Sequence, residues 1–188
     1  MFFLRKSTLE RLPIAMSGVR MGERLLQIGI DDPSVAGTLA AKVGLSGQTT
    51  IAVIDEASAA RAATAARKVG ALVDVHVTPV NAMPFADASF DVIVVHGMGG
   101  LLSSIDEPMR VALLREGFRA LRQGGRIVVI EAGARSGIAG LLRPPRIDKK
   151  YNAVGGAVAA LVAAGFRAPR VLAEREGYRF SEGIKASQ

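Results

Sequence analysis

His96 is the one group that titrates near neutrality at a position suited to chemistry. It closes the apolar run Phe90-Asp91-Val92-Ile93-Val94-Val95 and is followed by Gly97-Met98-Gly99-Gly100. An imidazole can exchange a proton near neutral pH, and glycines beside it let a ligand approach the backbone closely. The same residues also suit a histidine packed at a strand end, with the glycines shaping a turn. Acidic pairs follow two other apolar runs, Asp31-Asp32 after Ile28-Gly29-Ile30 and Asp55-Glu56 after Ile51-Ala52-Val53-Ile54. The chain has no cysteine and two isolated histidines, which excludes a disulfide framework, a thiolate nucleophile and a histidine–cysteine metal site. It also lacks a G-x-S-x-G nucleophile turn and a phosphate-binding P-loop.

In an open parallel sheet, ligands bind at the carboxyl ends of the strands, usually after the first strand. Here that loop reads Gln27-Ile28-Gly29-Ile30-Asp31-Asp32-Pro33. Asp31 stands where a dinucleotide fingerprint needs its second glycine, and two carboxylates at a helix start repel a bound phosphate. A nicotinamide dinucleotide is therefore disfavoured. A cofactor carrying sulfonium and ammonium groups meets no such repulsion and could take Asp31 as a partner. The alternative is a plain helix start, with Asp32 as cap and Pro33 in the first turn.

These residues must be positioned by alternating strands and helices. Leu25 to Ile28, Thr50 to Ile54, Leu72 to Val77, Phe90 to Val95 and Arg126 to Ile130 read as strands buried on both faces, the pattern of a parallel sheet with crossover helices. Helices are expected over Ala57 to Lys68, over about Glu107 to Leu121 with Val111, Leu114, Phe118 and Leu121 on the buried stripe, and over Val154 to Ala164. Pro169 to Glu176 and Tyr178 to Lys185, around Gly177, read as a β-hairpin, which brings the total to seven strands. One domain spans 1–188, with an N-terminal helical segment at 1–23 and a glycine- and arginine-rich loop or lid at 132–150.

Several stretches together resemble the class I S-adenosylmethionine-dependent methyltransferases of the small "type 11" group. Met83-Pro84-Phe85-Ala86-Asp87-Ala88-Ser89-Phe90-Asp91 is similar to that family's "LPF-x-D-x-SFD" segment. Arg119-Ala120-Leu121-Arg122-Gln123-Gly124-Gly125 is similar to its "R-x-L-(K/R)-x-GG", and Ala164-Gly165-Phe166 to its "AGF". The resemblance implies an α/β fold, a Rossmann-like three-layer sandwich whose seven-stranded, mostly parallel sheet has an antiparallel last strand. It further implies S-adenosylmethionine as cofactor, held by Gln27, Gly29, Ile30, Asp31, Asp55, Glu56, Asn81, Ala82 and Met83, with His96 as the catalytic candidate. Asp55, or Glu56 in its place, would accept hydrogen bonds from the ribose hydroxyls. The chain departs from the family at two of these places. Gln27 stands where the family has an acid. Pro79 replaces the acid that meets the adenine amino group, which leaves adenine to Asn81 or to the backbone of Val80 to Met83.

The net charge of +7 is unevenly spread: −5 over residues 26–109 and +9 over residues 110–188. Arg135, Arg143, Arg146, Lys149 and Lys150 crowd the expected lid. An acidic cofactor half beside a basic remainder suits a small-molecule acceptor, including an anionic one. A nucleic-acid surface is possible but not favoured, because aromatic residues are scarce near the basic cluster. The first residues do not form a signal peptide and no apolar stretch is long enough for a bilayer span, so a cytoplasmic chain without membrane contact is expected. Two other readings stand beside the enzymatic one: a non-catalytic Rossmann-like binding or scaffold protein that has lost the cofactor, and an RNA-binding or RNA-modifying domain.

Overall fold

A computed structural model describes residues 11–134 and 148–186. The expected N-terminal helical segment is thus described from residue 11 onward. Arg135, Arg143 and Arg146, with most of the expected lid at 132–150, lie outside the described residues.

Seven strands form one sheet: β1 (Arg24–Ile28), β2 (Gln48–Val53), β3 (Asp74–Val77), β4 (Phe90–Gly97), β5 (Leu121–Ala132), β6 (Arg167–Arg175) and β7 (Tyr178–Ile184). Their spatial order is β3-β2-β1-β4-β5-β7-β6. β1 to β5 pair in parallel, and β7 runs antiparallel to both β5 and β6. The chain leaves β1 toward β2 and β3, then returns to place β4 on the other side of β1. The order therefore reverses between β1 and β4, and the loops at the carboxyl ends of these two strands splay apart to leave a crevice.

Alternation along the strands divides the core into two layers. Leu25, Val92, Val94, Val128 and Ile130 pack against α1 (Leu12–Met16) and α2 (Pro33–Val43), while α3 (Glu56–Lys68) continues this layer over Ile51 and Val53. Leu26, Ile93, Val95, Ile127 and Val129 face the opposite layer, made by α4 (Glu107–Ala120), α5 (Lys149–Ala153) and α6 (Gly156–Ala164). Helix starts follow the local chemistry, since Asp32, Asp55, Asp106 and Asp148 each cap a first turn by accepting a backbone N–H.

The structure corrects four sequence expectations. β3 starts at Asp74, not Leu72, and is half-exposed, because as the outermost strand it has a neighbour on one side alone. Ile54 lies beyond β2 and faces solvent. α4 buries Arg110, Leu113, Leu114, Gly117 and Ala120, a stripe rotated from the expected one, because the small Gly117 and Ala120 let the helix approach the sheet. The helix expected over Val154 to Ala164 starts later, at Gly156, because Gly155 before it has a φ of +96° in the left-handed region, and a separate short helix over Lys149–Ala153 occupies the end of the stretch expected as loop or lid. The hairpin is as expected, and its turn places Glu176 and Gly177 at φ +56° and +82°.

Two glycines test this packing. A Cβ on Gly37 in α2 would lie 2.8 Å from the Ala65 carbonyl oxygen in α3, so Gly37→Ala should destabilise the fold by about 1–3 kcal/mol. A Cβ on Gly117 would rest 3.5 Å from Ile127 Cδ1, an ordinary contact, so Gly117→Ala should gain roughly 0.5–1 kcal/mol from helix propensity. Urea denaturation of the two variants reads both signs.

Candidate functional site

The carboxyl end of β1 turns sharply at Gly29, φ +77°, whose amide donates to the Ala52 carbonyl of β2 at 2.8 Å. A side chain at Gly29 would meet Leu101 Cδ2 at 3.1 Å and the His96 carbonyl at 3.3 Å, so the loops after β1 and β4 touch here. Ile30 is buried against Ala36 and Ile51, and its carbonyl accepts from the Arg61 guanidinium at 3.3 Å. Asp32 does structural work, accepting from the Ser34 amide at 2.8 Å and from Arg11 Nη2 at 2.6 Å. Burial pushes its carboxyl up, but the hydrogen bond and charge of Arg11 and the Ser34 and Val35 amides together outweigh this and hold it below the usual carboxylate value.

Asp31 differs from its neighbour. Burial raises its carboxyl above the ordinary value, opposed by the Gly99 and Met98 amides and by the more distant Arg61. Its Oδ2 is buried with no hydrogen-bond partner among the described residues. A Cβ on Gly99 would lie 2.5 Å from Asp31 Oδ1, so only glycine permits this approach of the loop to the carboxylate. Asp31, Pro13, Val35, His96, Met98 and Tyr178 contribute to the lining of a cavity of about 180 Å³ on the α1–α2 side of the sheet.

Beneath this cavity, Gln27 and His96 form a buried polar pair. Gln27 Nε2 donates to the Ala36 carbonyl in α2 at 3.0 Å, which turns Gln27 Oε1 toward His96 Nε2 at 2.8 Å. That oxygen can only accept, so Nε2 is the His96 nitrogen that carries hydrogen. The ring is 4% exposed, and burial lowers its pKa to about 4, with Asp32 pulling weakly the other way. His96 is therefore neutral at physiological pH.

The remaining candidates lie at the ends of the next two strands. Asp55 is exposed; its Oδ1 accepts from the Ser58 amide at 2.7 Å and its Oδ2 from the Ser58 hydroxyl at 3.0 Å, and the Ser58 amide bond chiefly lowers its pKa. Glu56 is exposed in the first turn of α3. Asn81 and Ala82 are exposed, whereas Met83 is buried, with its amide donating to Glu116 Oε2 at 3.0 Å and its carbonyl accepting from Arg119 Nη2 at 3.1 Å. Gln27, Gly29, Ile30, Asp31 and His96 thus come together at the β1–β4 crevice, while Asp55, Glu56 and Asn81 to Met83 line up beyond the ends of β2 and β3.

A second polar cluster, which the sequence reading did not single out, sits on the opposite face of the sheet. Glu131 ends β5 and pairs in register with Gly97, and it is 7% exposed. Burial raises its carboxyl, opposed by Tyr151, Arg179 and Arg110. The available signal was that Glu131 follows the apolar run Ile127 to Ile130 as Asp31 and Asp55 follow theirs. Among the described residues no group of histidine, aspartate and glutamate side chains is arranged to hold a metal ion, and no helix is long and apolar enough to cross a membrane.

The fold is a Rossmann-like α/β sheet with a crevice between β1 and β4, the architecture of the class I S-adenosylmethionine-dependent methyltransferases. Residues 26–129 match the model of the family described as "Methyltransferase domain", and the chain belongs to that family. Among curated proteins it is similar to the ubiquinone/menaquinone biosynthesis C-methyltransferases UbiE of Cronobacter sakazakii (31% identical) and Serratia proteamaculans (32% identical), each over 65% of this chain. The match covers 47% of each relative, so the chain spans about half their length. Among solved structures it is similar to a SAM-dependent methyltransferase from Aquifex aeolicus, with a TM-score of 0.71 at 19% identity over 92% of this chain and 87% of the other.

The buried imidazole makes stability depend on pH. With the unfolded pKa near 6.5 and the folded one near 4, the unfolded chain binds more protons between those values. The contribution is complete above pH 6.5 and is lost as pH falls toward 4, by about 3 kcal/mol. Denaturant titrations at pH 7 and pH 5 should show about 2 kcal/mol of this loss, and His96→Phe should flatten the slope across that interval.

Proposed function

We propose that this chain is an S-adenosylmethionine-dependent methyltransferase acting on a small-molecule acceptor. The observation that carries the reading is Asp31, which lines a cavity at the order switch of the sheet and has a buried carboxylate oxygen with no hydrogen-bond partner among the described residues. An ammonium or sulfonium group would complete its hydrogen bonding and offset its desolvation, whereas a phosphate would be repelled. The residues present fit such a group. Asp31 and the backbone of Gly29 to Asp31 would hold the amino-acid end, and Asp55 or Glu56 would receive the ribose hydroxyls. Asn81 and Ala82 would line the adenine, since the Met83 amide is committed to Glu116.

When bound, S-adenosylmethionine supplies an electrophilic methyl group on a sulfonium centre. The chain's own tasks are then to orient the acceptor and to accept its proton. His96 serves as a positioning residue, because its Nε2–H is spent on Gln27 and its ring is held neutral under the cofactor loop. The printed names of the UbiE relatives describe C-methylation in quinone biosynthesis, which supports a small organic acceptor here. A second reading, a Rossmann-like binding protein without this cofactor, draws on Asp55, both of whose oxygens are already used by Ser58.

Calorimetry with S-adenosylhomocysteine separates the two. The intact chain should bind it at micromolar to submillimolar concentration, and Asp31→Asn should weaken binding about tenfold through loss of a charge-assisted contact. Absence of binding at millimolar ligand would overturn the enzymatic reading and select the second one.

A further inference from the structure

The cluster at the carboxyl end of β5 has the properties of a reaction site rather than of core filling. Tyr151 of α5 is 6% exposed, and its hydroxyl is buried with no hydrogen-bond partner among the described residues. Glu131 lies beside it, close enough that the tyrosine hydroxyl counteracts the rise that burial gives its carboxyl, while burial and then the neighbouring carboxylate raise the phenol. A buried hydroxyl left unsatisfied costs stability, about 1–3 kcal/mol, unless a further group completes it. Both residues line a small pocket of about 20 Å³ together with Gly97, Gly100, Ser103 and Asn152. That volume admits roughly one oxygen-sized group.

The surroundings hold the pair in place. Arg110 stacks its guanidinium 4.5 Å from the Tyr151 ring centre and is itself anchored by the Leu102 and Ile105 carbonyls, each at 2.7 Å. Arg179 donates to Asn152 Oδ1 at 3.0 Å. Asp148 also lines the pocket, and its Oδ1 caps α5 by accepting the Tyr151 amide at 2.9 Å. The glycines matter as well: a Cβ on Gly97 would meet Glu131 Cγ at 3.1 Å, so a side chain there would crowd the carboxylate. The pocket opens at the ends of β4 and β5, across the sheet from the Asp31 cavity, and Gly97 to Gly100 form the strip between the two.

We propose that Glu131, assisted by Tyr151, is the proton-accepting end of an acceptor subsite that takes a neutral hydroxyl-bearing molecule of the phenol or enol class. This rests on the methyltransferase reading above. A carboxylate acceptor would need no base and would be repelled by Glu131, and a thiol ionises readily unaided. A phenolic or enolic O–H does need a base, and a buried carboxylate is matched to it. As the acceptor's O–H bond breaks, its electron pair stays on the acceptor and the proton passes to a Glu131 carboxylate oxygen. The acceptor's electron pair forms the new bond to the methyl carbon, the carbon–sulfur pair of the sulfonium donor remains on sulfur, and Glu131 returns its proton to water. Tyr151 Oη donates to the acceptor oxygen and fixes its position.

Phenol and its methyl ether anisole, added to the chain loaded with S-adenosylhomocysteine and followed by ligand-observed NMR, test the assignment. Phenol should bind at millimolar concentration and anisole about tenfold more weakly, since only phenol can donate to Glu131. Glu131→Gln should bring phenol down toward the anisole level, Tyr151→Phe should weaken both ligands while keeping the preference and should not lower the melting temperature, both should leave the S-adenosylhomocysteine affinity nearly unchanged, and Glu131→Asp should restore part of the preference. Equal binding of phenol and anisole, no binding of either, or an unaltered preference in Glu131→Gln would overturn the proposal. Should Glu131→Gln fail to fold, Tyr151→Phe and the phenol–anisole ratio of the unmodified chain still decide it. A chain that binds no S-adenosylhomocysteine overturns the methyltransferase reading instead, and the phenol–anisole ratio of the unloaded chain then decides the subsite separately.

Discussion

The hydrogen bond between Gln27 and His96 is the constraint on which the crevice depends. Each side chain belongs to one of the two strands between which the sheet reverses its order, and each is buried where an unpaired polar group would cost stability. Gln27 spends its amide hydrogen on α2 and its oxygen on His96, so a helix and two strands are tied by three groups that are all uncharged. The loops that begin one or two residues later, at Gly29 and Gly97, inherit their separation from this pair. With an acid in place of Gln27, the imidazole would be drawn toward its charged form; with glutamine it stays neutral, which suits a dry layer under a cavity that already contains Asp31.

A second set of contacts shows why two stretches far apart in the chain carry the family resemblance together. Arg119 of α4 donates to the carbonyls of Met83 and Phe85 and to the carboxylates of Asp87 and Glu116. One guanidinium thereby fastens the whole connection between β3 and β4, which has no helix to stabilise it. Phe85 completes the fastening through edge-on contacts with His76 at 5.2 Å and Phe90 at 5.4 Å. His76 thus packs an aromatic ring at the site's margin. At this same start of β4, Asp91 accepts from both Arg24 and Arg122, which ties β4 to β1 and β5 and keeps its carboxyl at about 2 against the effect of burial. The charge of the family-like segments is spent on binding the scaffold together, whereas the half-buried Asp31 and the buried Glu131 have no arginine in salt-bridge contact among the described residues.

Charge is distributed to match. The acidic residues of 26–109 supply helix caps and the crevice, while much of the later basic excess lies on α4, β5 and β6, where Arg110, Arg119, Arg122 and Arg126 each meet a carbonyl, a carboxylate or an aromatic ring. Among the described residues, these arginines of α4 and β5 thus serve internal contacts rather than one continuous basic face.

The amino-acid sequence by itself determined the element order, most strand positions, the hairpin and the family, because these follow from apolar periodicity, acidic caps and glycine stops, all of which are local. It also marked Asp31, Asp55 and His96, since a polar residue ending an apolar strand is visible without knowing what faces it. The face on which each would act was decided only by the tertiary structure. Strand alternation sends His96 toward α2 and Glu131 toward α5, although the two positions are neighbours on adjacent strands. The sequence could not show that Asp32 is consumed by Arg11, that Met83 has surrendered its amide to Glu116, or that Tyr151 and Glu131 meet. Each of these depends on residues brought together from distant parts of the chain, and long-range contacts of that kind set burial and hydrogen-bond partners, the two quantities that turn a carboxylate into either a cap or a reactive group.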